Sequence, residues 1–153
     1  MSGPDWLGPV AHIGIVADDF DGAMAVFTAI KIRWSTVVET VAILTRPNGV
    51  TEQHTVRYVA SAGDEPRLKI ISSVPGSIFS PGLSAPIHHL SYWVADLDDA
   101  TMKLVAGGFE VEATGFEADG SASYRYLVGA GGIRIELGLD RNRAEFDAWA
   151  NGI

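Results

Sequence analysis

His12, His89 and Glu136 stand out because each is followed, two positions on, by a very small residue: Gly14, Ser91 and Gly138. Residues two apart on a strand share a face, so each polar group would stand beside room for a ligand or metal. Glu136 lies in the otherwise apolar run IRIEL, and a buried carboxylate without a partner is costly. It therefore calls for a cation or a proton. Two imidazoles and one carboxylate suit a divalent ion such as Zn, Mn, Co, Ni or Fe(II). Each residue also has a plainer reading. A histidine near a strand end is commonly just a hydrogen-bonded polar group, and Glu136 can pair with Arg134 or Arg125. The same alternation sets His88 on the opposite, helix-packed face, as a structural neighbour of His89.

The elements that position these residues come from a repeat. PVAHIGIVADDFD (9–21) and PIHHLSYWVADLD (86–98) align at an offset of 77, with Pro9/Pro86, His12/His89, Asp19/Asp96 and Asp21/Asp98 identical. Each copy opens with a β-rich run, at 11–17 and 87–95. A helical pattern follows near 20–30, with Ala23, Val26, Phe27 and Ile30 as its stripe, and near 97–106, with Ala100, Leu104 and Val105. Asp19 or Asp21 and Asp96 or Asp98 fall where N-caps belong, and Gly107-Gly108 where the second helix must end. Three strand-like runs follow in each copy, at 36–45, 53–60 and 66–74, and at 109–117, 123–130 and 133–139. The unit is βαβββ, used twice in one α+β domain spanning 1–153. Module one is 9–74, a Pro/Gly/Ser-rich linker 75–85, module two 86–140, and a C-terminal helix 141–151, capped by Asp140, has an apolar side of Phe146 and Trp149.

Composition narrows the chemistry. The 153 residues contain no cysteine, which excludes thiolate metal sites, disulfides and a thiol nucleophile. A net charge of −8 with no basic run argues against nucleic acid. No apolar stretch approaches the roughly 18 residues of a membrane span, and MSGPDWLGPV lacks the pattern of a secretory signal. The expectation is a cytoplasmic protein with small-molecule partners, without nucleic acid or membrane.

HIGIVADDFD, HHLSYWVADLD, the doubled βαβββ pattern and IRIEL together resemble the vicinal oxygen chelate superfamily, nearest its methylmalonyl-CoA epimerase and glyoxalase-like branch. The resemblance covers Val10 to about Leu139. It implies two tandem modules forming a curved, half-open barrel-like mixed sheet around one metal, with His12, His89 and Glu136 as ligands. Aligning LKI-I with IRI-E puts Ile71 where the family has a fourth ligand, Glu or Gln, so the shell falls to three. The implied activity is that of an isomerase or lyase removing a proton beside a metal-chelated carbonyl. Glu52, in TEQHTVRYV, resembles the catalytic glutamate of the epimerases, and Glu136 is the other candidate base. Ser91, Arg57 and Tyr58 are candidate substrate contacts, and Arg125 matches Arg57 in the second copy. The implied partners are a carbonyl or thioester substrate and a second copy of the chain in a homodimer. Two alternatives stay open. One is a metal-free protein binding an aromatic metabolite or antibiotic among Trp93, Tyr58, Tyr124 and Tyr126. The other is an Fe(II) extradiol-type dioxygenase.

Overall fold

The computed structural model describes residues 4–81 and 87–153. Pro86 and the end of the expected linker lie outside them. The element order is β1 (Val10–Ala17), α1 (Phe20–Ala29), β2 (Val38–Thr45), β3 (Thr51–Ala60) and β4 (Arg67–Ser72). The second half repeats it with β5 (Ile87–Val94), α2 (Leu97–Ala106), β6 (Glu110–Phe116), β7 (Ala122–Val128) and β8 (Arg134–Leu139), followed by α3 (Arg143–Ala150). Asp19 accepts a hydrogen bond from the Gly22 amide and Asp96 from that of Asp99, both at 2.9 Å, so the first aspartate of each pair is the cap. Gly107 ends α2, and Gly108 follows it at φ 98°, a left-handed value that favours glycine.

The eight strands form one mixed α+β barrel in the order β1-β4-β3-β2-β6-β7-β8-β5. The expected half-open sheet closes, but the β2–β6 seam is only two pairs long, Leu44 with Gly115 and Thr45 with Thr114. Two junctions position the site. At the centre β1 and β5 run antiparallel, His12 facing Ser91 and Gly14 facing His89. Each then takes a parallel partner, β4 beside β1 and β8 beside β5.

Inward-facing side chains fill the barrel with Val16, Leu44, Val56, Ile71, Phe79, Ala113 and Tyr126. Outside, α2 covers Leu127, Ile135 and Leu137, while α1 covers Val59 and Ile70. Burying such apolar surface against both sheet faces is the main force holding the fold.

Four expectations change. In α1 the packed face is Phe20, Ala23, Met24 and Phe27, whereas Val26 and Ile30 are 66% and 68% exposed. The stripe is rotated because Phe20, directly after the cap, sets the helix on the sheet. Within the expected linker, Pro75, Gly76 and Pro81 are exposed, but Ile78 and Phe79 turn back into the barrel core. Asp140 opens a short 3-10 turn, Asp140–Asn142, and Asn142 holds the cap position of α3 without a side-chain bond. Finally, His88 does not lie under a helix. The ladder steps from Gly14/His89 to Ile15/Ile87, so one residue of β1 faces two of β5. This bulge turns His88 inward, against the rings of Phe79 and Tyr126.

Candidate metal centre and cavity

The three sequence candidates for a metal meet inside the barrel, one from each of the adjacent strands β1, β5 and β8. His12, His89 and Glu136 are all buried, and each offers a ligand atom within 4.8 Å of the other two. Nε2 of His89 lies 2.8 Å from Oε2 of Glu136, Nε2 of His12 lies 3.4 Å from the same oxygen, and the two nitrogens are 3.1 Å apart. Oε2 nevertheless has no hydrogen-bond partner among the described residues. The two histidine nitrogens are hydrogen-bonded to each other, and the carboxylate oxygen converges on them without a bond of its own.

The local sequence makes this convergence possible. The ring of His89 lies where a side chain at Gly14 would stand: a Cβ there would be 2.0 Å from its Cε1. The small residue beside the first histidine thus makes room for the second histidine, not for a ligand directly. Ser91, a candidate substrate contact, is buried between β1 and β8, opposite both His12 and Glu136. It sits between two of the three triad strands and, among the described residues, lines neither chamber of the adjoining cavity.

Behind the triad, His88 fixes the proton positions. Its Nε2 donates to the Ile78 carbonyl, which can only accept. A neutral His88 then offers a bare Nδ1, which lies 2.9 Å from Nδ1 of His89 and accepts its N–H. That leaves His89 with an unprotonated Nε2 aimed at Glu136. Burial, the largest cause, lowers the pKa of both: His88 to about 4, reinforced by its neighbour His89, and His89 to about 4 despite the pull of Glu136. Burial likewise lowers that of His12. Burial alone would push the Glu136 carboxyl up, but the Lys69 charge opposes it, and the carboxyl is held well below the ordinary carboxylate range. The bare nitrogen of His89 accepts from Nε2–H of His12, and once that proton is released two neutral imidazoles and an ionised, unbonded carboxylate oxygen are the donor set a divalent cation requires.

The ion-pair alternatives for Glu136 fall away. Arg134 forks onto Glu112 at 2.7 and 2.9 Å. Arg125 bonds Asp98 at 3.0 Å and Thr101 at 2.9 Å, on the α2 side of the sheet.

Glu136 forms part of the wall of a cavity of about 780 Å³ that also includes Tyr58, Lys69, Trp93, Tyr124, Phe146 and Trp149. A second chamber of about 300 Å³ runs into the barrel past Ile71, Phe79 and Tyr126, and shares Tyr58, Lys69, Tyr124 and Glu136. Tyr58 and Tyr124 line both chambers, Trp93 the larger and Tyr126 the smaller. Phe146 and Trp149, the apolar side of the terminal helix, face this cavity because α3 lies across the barrel mouth. Phe146 stacks on His12 at 5.7 Å and meets Trp93 edge-on. Asp147 is held 3.0 Å from the guanidinium of the buried Arg67.

Two candidates lie elsewhere. Glu52 contacts His54 at 3.2 Å and borders a separate cleft with Arg46, Glu112 and Arg134. It is six residues before Tyr58 on β3, about 20 Å along a strand. Arg57 points to the outer face, over the Phe20 ring at 4.6 Å and toward Asp21. Neither reaches the cavity, because strand alternation and distance along β3 carry both away.

The strand register also corrects the fourth position. Ser91 pairs with Glu136, and its counterpart Gly14 pairs with Lys69. The residue equivalent to Glu136 is therefore Lys69, whereas Ile71 pairs with Val16 and belongs to the core. Lys69 and Ile71 are two residues apart and share a facing, so the apolar pattern of the runs does not distinguish them.

No curated protein matches the chain. Among solved structures, it is similar to a glyoxalase family protein from Bacillus cereus, at 19% identity over 91% of this chain and 98% of that one, TM-score 0.37. It is also similar to lactoylglutathione lyase from Agrobacterium tumefaciens, at 17% identity over 91% and 96%, TM-score 0.31. Against a catechol 2,3-dioxygenase the identity is 16% over 85% of this chain but 39% of that one, TM-score 0.42. The family model of the glyoxalase/bleomycin resistance protein/dioxygenase superfamily matches residues 11–127. The chain belongs to that superfamily.

Proposed function

We propose that this protein is a metal-dependent isomerase or lyase that removes a proton beside a carbonyl of a small molecule with neighbouring oxygens. One observation supports the reading above others: three buried ligand atoms within 4.8 Å, including an unbonded Oε2, at the wall of a substrate-sized cavity. His12, His89 and Glu136 hold the ion. A divalent ion bound there supplies the Lewis acidity that makes a hydrogen beside a chelated carbonyl easier to remove. Tyr58, Trp93, Phe146 and Trp149 hold the body of the substrate and exclude water.

The proton acceptor passes from Glu52 to Glu117, which lines both chambers with Glu136. Its Oε1 accepts hydrogen bonds from Ser123 at 2.6 Å and Asn142 at 3.1 Å, which fix the carboxylate. The proton leaves carbon for Glu117 and returns to carbon or to the leaving oxygen. A solvent-deuterium exchange assay on the metal-loaded protein tests this, with 2-hydroxyacyl compounds and a 2-methylmalonyl-type thioester as the panel. Exchange that disappears in Glu117→Gln, with the ion still bound, is expected. Absence of exchange across the whole panel refutes the reading.

A second reading has its own observation. Lys69 already supplies a positive charge that stabilises ionised Glu136, so the aromatic cavity can serve a metal-free binding protein. Iron-dependent ring cleavage is a third outcome, distinguished by which ion the purified protein holds. The expected assembly is a homodimer. The apolar Val26, Ile30, Met102 and Val105 on the outer helices are exposed, and light scattering on the eluting protein decides the mass.

A further inference from the structure

Lys69 occupies the place where the symmetry of the two modules calls for a second Glu136. It faces the interior beside the triad and lines both chambers of the cavity with Glu136. Its ammonium sits over the Tyr58 ring at 4.9 Å and 5.9 Å from the Phe146 ring centroid. Among the described residues, no carboxylate comes within the 4.0 Å of an ion pair. Of the charged residues lining the cavity, Glu117, Asp119 and Glu145 are exposed to solvent, whereas Lys69 is half-buried and Glu136 buried.

The exchange of carboxylate for ammonium changes what the site accepts. With two protein carboxylates, a divalent ion is electrically satisfied and suits a neutral chelator. Here one carboxylate opposes the ion and a second cation stands beside it. An anionic oxygen entering the open side meets positive charge from both, within aromatic walls that weaken screening by water.

We propose that Lys69 is the specificity-determining residue of this site, and that the substrate presents a carboxylate beside its second chelating oxygen, as 2-oxo and 2-hydroxy acids do. The proposal rests on the metal-centre reading above. It also explains why Lys69 is set between two rings: cation–π contact holds the ammonium in place without neutralising it.

Oxalate, a small anion with paired oxygens, is the probe. Apo protein is titrated with Co(II), followed by its visible absorption, and the loaded protein is then titrated with oxalate. Lys69→Met should bind Co(II) within about threefold of wild type and weaken oxalate at least about tenfold, as loss of a charged hydrogen bond implies. Lys69→Arg should keep oxalate binding, and Lys69→Glu should tighten Co(II) and lose oxalate. Circular dichroism and thermal unfolding confirm that each variant is folded. Lys69→Met that binds oxalate like wild type overturns the proposal and leaves the metal reading standing. Wild type that takes up no Co(II) overturns the metal reading. In that case quenching of Trp93 and Trp149 by oxalate in metal-free protein, lost in Lys69→Met, supports the anion site, and its absence overturns that too.

Discussion

Nε2 of His89 and Oε2 of Glu136 approach to 2.8 Å, yet no hydrogen bond joins them. The nitrogen is bare because His88, locked by the Ile78 carbonyl, takes the proton donor of His89 at its other face. A lone pair and an ionised oxygen at this separation repel unless a cation lies between or beside them. That contact connects a bulge in β5 to the chemistry of the cavity.

The first prediction concerns His88, a positioning residue that acts through His89. Replacing it by Ala frees the His89 proton to move to Nε2, and metal affinity should fall about 10–100-fold, the usual cost of losing a partner behind a metal-bound imidazole. Competition with a chromophoric chelator measures the affinity. Nitrogen-15 spectra of the metal-free wild type should show the proton of His89 on Nδ1; a proton on Nε2 contradicts the relay.

Gly14 should tolerate no side chain. A Cβ there would lie 2.0 Å from Cε1 and 2.3 Å from Nε2 of His89, so Gly14→Ala must displace the ring. We expect loss of metal binding together with a destabilisation of about 1–3 kcal/mol from overpacking. Equilibrium denaturation and metal titration check both. Unchanged metal affinity in the variant would show that His89 is not where the ion sits.

Acid should destabilise the metal-free protein in a defined window. His88 and His89 have folded pKa values of about 4, against 6.5 for the ordinary side chain. Between those values the unfolded chain binds more protons, so stability falls as pH drops from about 6.5 to about 4. Glu136, held below the ordinary 4.5, acts in the same direction, its contribution being lost as pH falls below that value. Denaturation at pH 7 and pH 4.5 should differ by at least roughly 2 kcal/mol. A flat profile across that range contradicts neutral buried imidazoles.

Arg67 should hold the roof of the cavity. Its guanidinium is buried and 3.0 Å from Asp147 of α3, and it also donates to the Gly63 carbonyl. Arg67→Met leaves Asp147 without this partner but partly solvated, so the cost should be about 2 kcal/mol, below that of a fully buried pair. Amide exchange in α3 should accelerate more than in β7. Equal protection of both would show that the contact does not anchor the helix.

Much of this was legible in the chain because the repeat doubled weak signals. His12 and His89 were identified by their equivalence, and Glu136 by a charge in an apolar run. What was illegible depended on ladder geometry. The bulge that turns His88 inward has no mark in HHLSYW, and the true partner of Gly14 could not be separated from Ile71 by alternation. Glu52 was misplaced because a motif gives a strand without saying which end of it meets the cavity. Phe146 and Trp149 read as a packing stripe because nothing in α3 states that it packs over a barrel mouth rather than a wall.

The metal content of the protein, purified without chelators and quantified by mass spectrometry of the elements, tests the central claim most directly. The account predicts about one divalent ion per chain, lost on replacing His89 by Ala or Glu136 by Gln in variants that remain folded. Protein that holds no ion, and acquires none when dialysed against zinc, manganese, cobalt, nickel or iron(II), would contradict it.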